Sequence, residues 1–329
     1  MSQVFISRWS VASYIFIKVY SVIVISYKTN ISYDEDIHNL AKECCYLYFR
    51  NDIIDKTLKE GNFMAYKLIA TDMDGTLLTS TDEITVKTQQ TIRTAVDNGV
   101  IFTLSTGRPL QGVKKYIDLL GLNCPVITYN GAVIAHSITG EILFSQDMDI
   151  AEATRVYNLA KEKGVMFIVW SQNKLYASEI SEKTYFYEGI TNTKAELITD
   201  FAKIVVNGIT KILWYDDAQI LDKYIEELNS EKFVYTTFTK SRAYFLEFFS
   251  NKVSKAVAMK NLGEYYGIKR EEMVAVGDQT NDLPMIEYAG LGVAMANAVD
   301  SVKLAADYIT DSNNKDGVAK VIEKFILRK

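Results

Sequence analysis

Histidine is nearly missing from this chain: His38 and His136 are the only two among 329 residues. That inventory argues against a histidine-based triad or a histidine-rich metal site, and leaves acid–base chemistry to carboxylates and lysines. Cysteine is also scarce. Cys44, Cys45 and Cys124 are odd in number and lack metal-type spacing, which points to a reducing, cytoplasmic setting without a disulfide framework. No basic tract stands out and the net charge is −5, so wholesale nucleic-acid binding, which needs a Lys/Arg footprint, is not expected. Hydrophobic residues at 48% and charged residues at 23% are ordinary for a globular protein, and the length suffices for two domains.

The chain is organised around Lys67-Leu68-Ile69-Ala70-Thr71-Asp72-Met73-Asp74-Gly75-Thr76-Leu77-Leu78. A short apolar run of this length predicts a buried parallel strand, with its carboxylates at the carboxyl end, where open α/β sheets place ligands. Asp72 and Asp74 are two apart, so on a continuing strand they would face the same side. Two like charges so close call for a compensating cation, and carboxylate oxygens suit Mg²⁺. Gly75 lets the chain leave the strand sharply. An acidic turn after a strand is the plainer alternative.

Further segments fit the same plan. Thr85–Asn98 reads as an amphipathic helix stopped by Gly99. Val100–Ser105 is a second buried run, ending in Thr106-Gly107-Arg108-Pro109, which offers a hydroxyl and a close backbone approach to a phosphate. Leu110–Leu120 is expected to be helical, and Pro125-Val126-Ile127-Thr128-Tyr129 to form a third strand before Asn130-Gly131-Ala132. A hairpin across Thr139-Gly140 follows. From about Asp147 to Ser250, helices (Ala151–Lys163, Ala218–Leu228) alternate with strands (Val165–Trp170, Thr210–Tyr215, Phe233–Thr239, Tyr244–Phe249), an α/β unit of its own. Tyr185, Tyr187, Trp170 and Trp214 are candidates to line a cleft, although aromatics at such spacing are more often core. Lys255 opens the helical run Ala256–Tyr266, where the helix dipole disfavours a cation; that mismatch hints at a role, with Lys252 as runner-up. Met273–Val276 is another strand, ending in Gly277-Asp278-Gln279-Thr280-Asn281-Asp282. Leu291–Met295 is read as the last strand, with helices over Ser301–Asp307 and Asp316–Leu327.

Asp72-Met-Asp-Gly-Thr-Leu-Leu resembles the first motif of the haloacid dehalogenase superfamily, Thr106 its second, Lys255 its third, and Gly277-Asp278…Asn281-Asp282 its fourth. The forms Thr-Gly-Arg-Pro and Asn-Gly-Ala are similar to its Cof-type branch. The finer similarity of Ile127–Ala132, Tyr244–Glu247 and Met285–Gly290 is to the sugar-phosphate phosphatases of that branch. Ser254 and Ala256 stand beside Lys255 where Asn or Gly is frequent, a small departure. The resemblance covers residues 64–329. It implies a doubly wound, parallel, Rossmann-like α/β core over 64–146 and 251–329, with an inserted α/β cap over 147–250. It implies that Asp72 is the nucleophile and Asp74 the general acid and base, with Lys255 neutralising charge. Phosphate and substrate would be bound by Thr106, Gly107, Arg108, Asn130, Gly131, Lys255 and Asn281. Mg²⁺ would be held by Asp72, Asp278 and the backbone carbonyl of Asp74, with Asn281 and Asp282 orienting the metal's surroundings. A small phosphorylated metabolite is then the partner. Phosphotransfer or mutase chemistry on the same scaffold is the alternative, mildly disfavoured by a cap whose only arginines are Arg155 and Arg242; a non-catalytic sensor of metal and phosphometabolite is a third reading.

Residues 1–63 read differently. Val11–Tyr27 is strongly apolar but short for a membrane span and broken by Lys18; Arg8 precedes it and no cleavage site follows. A helix through Ile37–Phe49 is expected. Met64-Ala65-Tyr66-Lys67 resembles a natural start for this superfamily, and Lys59-Glu60-Gly61 is encodable by a purine-rich ribosome-binding sequence. The favoured expectation is that 1–63 is translated upstream sequence; a membrane anchor and a folded extension are the alternatives.

Overall fold

The computed structural model describes residues 66–328, and the readings made for residues 1–63 lie outside the described residues. In chain order the strands are β1 (Leu68–Thr71), β2 (Ile101–Leu104), β3 (Pro125–Thr128), β4 (Val133–His136), β5 (Ile142–Ser145), β6 (Met166–Ser171), β7 (Lys174–Ala177), β8 (Ala195–Leu197), β9 (Lys211–Tyr215), β10 (Thr236–Arg242), β11 (Phe245–Ser250), β12 (Met273–Gly277), β13 (Leu291–Ala294) and β14 (Tyr308–Ile309).

The architecture is α/β. A five-stranded sheet of order β14-β13-β12-β1-β2 is parallel throughout. Its central strands are buried along their whole length, as apolar runs covered on both faces must be. After β1 the chain moves to β2 on one side and later returns to β12 on the other. Strand order therefore reverses between β1 and β12, and the crevice at their carboxyl ends is where such a sheet binds ligands. The registers Thr71↔Val276 and Thr71↔Leu104 bring the ends of β12, β1 and β2 side by side. A parallel bridge Ser105↔Ile127 attaches β3, which pairs antiparallel with β4, and β4 with β5.

Between β5 and β12 the chain builds a second sheet of six strands, order β10-β11-β9-β6-β7-β8. One face packs Val169, Ile212, Trp214, Leu246 and Phe248 against the helices Ile150–Lys163, Phe201–Val205 and Ala218–Leu228. The other carries Met166, Ile168, Trp170, Leu213 and Phe245 onto Tyr129, Ala132, Val133 and Ala135. Trp170, Trp214 and Tyr187 are thus core, with the Trp170 indole N–H donating to the Tyr187 hydroxyl at 3.0 Å, whereas Tyr185 is exposed. The core reading therefore holds for three of the four, and Tyr185 is the exception.

Several boundaries shift. The strand expected over Phe233–Thr239 runs later, over β10, because Thr236 registers with Ser250 and the hairpin closes only at Arg242↔Phe245. Leu291–Met295 is not the last strand, since β14 adds a two-residue edge that blunts the sheet.

Lys211 and Glu247 form a largely buried ion pair in the second sheet, Nζ to Oε1 3.0 Å. Burial opposes the charge on Lys211, but Glu247 and Tyr187 together outweigh it and hold the ammonium above its ordinary range. Lys211→Met leaves the Glu247 carboxylate without its cation, and denaturant unfolding should show a loss of about 3–5 kcal/mol. A loss under about 1 kcal/mol would mean that the pair is solvated like a surface salt bridge.

Candidate active site

Asp72 follows β1 directly, and its N–H donates to Val276 O at 2.9 Å, which sets it beside the end of β12. There the chain turns into a tight coil over Met73–Leu77, in which Asp74 (φ −75°, ψ 116°) and Gly75 (φ 79°, ψ −4°) leave helical geometry. The strand does not continue past Thr71, so Asp72 and Asp74 do not share a face as the strand-based reading expected. Asp72 is buried, whereas the Asp74 side chain is 56% exposed and both its oxygens are held by Arg108, Nε to Oδ2 at 2.9 Å and Nη2 to Oδ1. Gly75 is required twice over: its φ is left-handed, and a Cβ there would run into the Asp278 carboxylate.

The buried centre consists of Asp72, Asp278, Asp282 and Lys255. The Lys255 ammonium, with no side-chain exposure, donates to Asp72 Oδ1 at 2.6 Å and Asp282 Oδ1 at 2.5 Å. Lys255 begins the helix Lys255–Tyr266, whose N-cap Ser254 accepts from Ala256 N–H. The two carboxylates explain a cation at the wrong end of the helix dipole. Asp282 Oδ2 accepts from the N–H groups of Asp278 and Gln279 at 2.9 and 3.0 Å, folding the loop after β12 onto itself. Asp278 Oδ1 accepts from Thr76 Oγ1 at 2.8 Å, joining the β1 and β12 loops. The remaining oxygen of Asp72, Oδ2, takes no protein donor among the described residues.

Electrostatics follow from this crowding. Burial pushes the Asp72 carboxyl well above the carboxylate range; Lys255 pulls it down, and Asp282 and Asp278 push it up again. Burial raises Asp278 as well, opposed by the Thr76 hydrogen bond. Burial works against the charge on Lys255, yet Asp72 and Asp282 hold it above its usual value.

One oxygen from each of Asp72, Asp278 and Asp282 lies within 4.8 Å of the others, all three buried. With all three carboxylates ionised, the one ammonium leaves two negative charges, which a divalent cation would balance. The donors are hard oxygens, as Mg²⁺ and Ca²⁺ require. The residues therefore fit a divalent metal ion. The Asp74 carboxylate stands outside this group.

A rim surrounds the centre. Thr106, buried, accepts on Oγ1 from Arg108 N–H at 3.1 Å. Tyr129, Asn130 and Gly131 all take positive φ (51°, 58° and 102°). A Cβ on Gly131 would collide with the Ser254 carbonyl, so this turn touches the start of the Lys255 helix. Asn130 Oδ1 accepts from Asn281 Nδ2 at 3.0 Å, and a Cβ on Gly107 would meet Asn130 at 3.0 Å. The structure thus gathers Thr106, Gly107, Asn130 and Asn281 around one turn, with Arg108 turned to Asp74. Lys252 is exposed, with its ammonium over the Tyr235 ring. Sequence reasoning misses Thr76, Gln279 and Asn297. Thr76 lies within the first motif and its hydroxyl is a readable signal; Asn297, between two alanines, offers none.

A family profile described as haloacid dehalogenase-like hydrolase matches residues 69–322. YxeH of Bacillus subtilis is 35% identical over 271 residues, spanning 80% of this chain and 100% of that protein. The 5-amino-6-(5-phospho-D-ribitylamino)uracil phosphatase YcsE of the same organism is 34% identical over 265 residues, 79% and 96% of the two chains. Among solved structures, TM0651 of Thermotoga maritima aligns with a TM-score of 0.72 at 30% identity, covering 79% of this chain and 97% of that one. With an all-parallel sheet that carries its acids at the β1/β12 crevice, and with likeness of this extent, the chain belongs to the haloacid dehalogenase-like hydrolases, in their Cof-type branch.

Proposed function

We propose that this phosphatase is a Mg²⁺-dependent phosphomonoester hydrolase that acts on small phosphorylated metabolites of the sugar-phosphate kind through an aspartyl-phosphate. The observation that carries the reading is Lys255 bridging Asp72 and Asp282 beside Asp278, at the carboxyl ends of β1 and β12. The phosphorylated ribityl chain in the name of YcsE is a polyol phosphate, which supports the substrate class.

In this reading, the free Oδ2 of Asp72 attacks phosphorus in line; the Asp–O–P bond forms as the ester P–O bond breaks. Asp74 gives the leaving oxygen a proton and later takes one from the water that cleaves the aspartyl-phosphate. Lys255 orients the Asp72 carboxylate and favours its charged form. Thr106 and the Gly107, Asn130 and Gly131 turn receive phosphate oxygens, and Asn281 and Asp282 orient the surroundings. Arg108 occupies both oxygens of Asp74, so its shift toward substrate would release Asp74 for proton transfer. Mg²⁺, held by Asp72, Asp278 and the backbone carbonyl of Asp74, would supply charge neutralisation at the transferring group. Residues 64–146 and 251–329 form the core in this scheme, and 147–250 a cap that excludes water and selects the leaving group. Placement in the cytoplasm agrees with the free, buried Cys124; among the described residues no helix is long and apolar enough to cross a membrane.

The test is phosphate release from an aryl phosphate and a panel of sugar and polyol phosphates, with Mg²⁺ and with a chelator. Mg²⁺-dependent release that ranks the panel is expected. Release that survives chelation would overturn the metal dependence, and no release from folded protein would overturn hydrolysis.

A further inference from the structure

We propose that Asn297 is a positioning residue that registers the two acid-bearing loops of the site against each other; the inference rests on the metal-dependent phosphatase reading above. Asn297 lies in the turn after β13. The backbone of that turn is tied to the β12 loop, Met295 N–H donating to Gly277 O and Val299 N–H to Asp278 O, both at 3.0 Å. Its side chain reaches the β1 loop instead: Asn297 Nδ2 donates to the Gly75 carbonyl at 2.7 Å. Asn297 Oδ1 accepts from Asn313 N–H at 3.1 Å, so both ends of the carboxamide are engaged and its orientation is set. Asn313 Nδ2 in turn donates to Leu78 O at 2.8 Å. The coil that bears Asp74 is therefore gripped at Gly75 and at Leu78 by one short polar relay.

The grip falls where the coil cannot hold itself. Gly75 has no side chain to restrict its peptide planes, it sits at φ 79°, and it lies against Asp278. Fixing its carbonyl fixes the peptide between Gly75 and Thr76, one residue beyond Asp74, and through Thr76 the distance from that coil to Asp278. Asn297 itself is exposed and belongs to neither hydrophobic cluster, so its replacement removes the tether without opening a cavity. Groups that orient metal-holding carboxylates are worth about 10- to 100-fold in metal affinity, and a displacement of about 1 Å at a reacting group costs up to about 100-fold in rate.

The test uses the full chain with Asn297→Ala and Asn297→Asp, the latter placing an acceptor where Nδ2 donates. Asn314→Ala is the control: it lies on the same C-terminal segment, but its Oδ1 holds Ser80 N–H at 3.0 Å, beyond the acid loop. Mn²⁺ binding to the free protein, read by paramagnetic resonance, is expected to weaken about 10- to 100-fold in both Asn297 variants. At saturating Mg²⁺, kcat on an aryl phosphate should fall with KM nearly unchanged, while Asn314→Ala keeps wild-type affinity and kcat at a similar melting temperature. Wild-type affinity and kcat in both Asn297 variants, or an equal loss in Asn314→Ala, would overturn the inference. Wild-type protein that releases no phosphate would instead fail the functional reading, and the Mn²⁺ comparison would still decide the role of Asn297.

Discussion

Asp72→Asn is expected to lower phosphate release by about 10⁴-fold or more while leaving the metal-free protein at least as stable as the wild type. The first half follows from the attacking atom. An amide matches the carboxylate in shape, but it is neutral and a poor nucleophile toward phosphorus. The second half follows from burial. Asp72 carries its charge in a site where desolvation, Asp282 and Asp278 together outweigh the help from Lys255. Its folded-state pKa therefore lies above its unfolded value, and between the two the folded chain binds more protons. The stability slope with pH is negative there, so the wild type without metal should lose stability as pH climbs through the window from the ordinary carboxylate range to about 8. Asn has no proton to bind, and the variant should show a flatter profile. Phosphate release by Asp72→Asn within tenfold of wild type would reject Asp72 as the nucleophile. Melting temperatures that fall in parallel in both proteins would assign the slope to another group, Asp278 first.

Much of the fold was legible because its local signals agree with its tertiary placement. Leu68–Thr71 reads as a buried strand and is one, and Leu110–Leu120 is a helix over those residues, closed by Gly121 at φ 67°. The second sheet was harder. β7 is four residues long, and the turn that joins it to β6 places Gln172 and Asn173 at φ 50° and 58°, a hairpin turn without the glycine that would announce it. The helix Glu182–Thr191 has apolar residues on several sides and no clean stripe, since Tyr187 is buried while Tyr185 and Phe186 are exposed. β14 is two residues whose strand character comes wholly from pairing with β13. In the site, residues at strand ends and helix starts could be located from the chain, because the parallel sheet brings those ends together. The direction of the Asp74 side chain could not. It depends on the backbone turning at Asp74 and Gly75 and on Arg108, 34 positions away in sequence. Asn297 was invisible for the same reason: its partners are 222 and 16 residues distant.

Lys255→Met tests how far the buried centre depends on one charge. Lys255 has no exposed side-chain surface, and both its carboxylate partners are almost wholly buried. Methionine fills a similar volume, so the change removes a cation and leaves packing nearly intact. Breaking a buried ion pair from one side costs about 3–5 kcal/mol, because the abandoned charge has neither water nor partner. Here Asp282 loses its cation while Asp72, without the help of Lys255, takes up a proton instead, and a loss within that range is expected at pH 8. The pH dependence separates this cause from a packing defect. In the wild type, Lys255 titrates above its ordinary value, so its contribution is complete at and below neutral pH and is lost only in strong alkali. In the variant, Asp72 loses the interaction that lowered its pKa, and the folded chain keeps its extra proton over the unfolded chain to a higher pH. Lys255→Met should then be distinctly more stable at pH 5 than at pH 8, by a wider margin than the wild type, in thermal unfolding with a chelator present. A packing defect would lower both melting temperatures equally. Turnover should fall about 10²- to 10³-fold, the scale for losing one preorganised charge beside a reacting group. Wild-type stability at pH 8 would mean that the carboxylates do not rely on Lys255 in the folded chain, and the charge balance that makes room for a divalent ion would have to be redrawn.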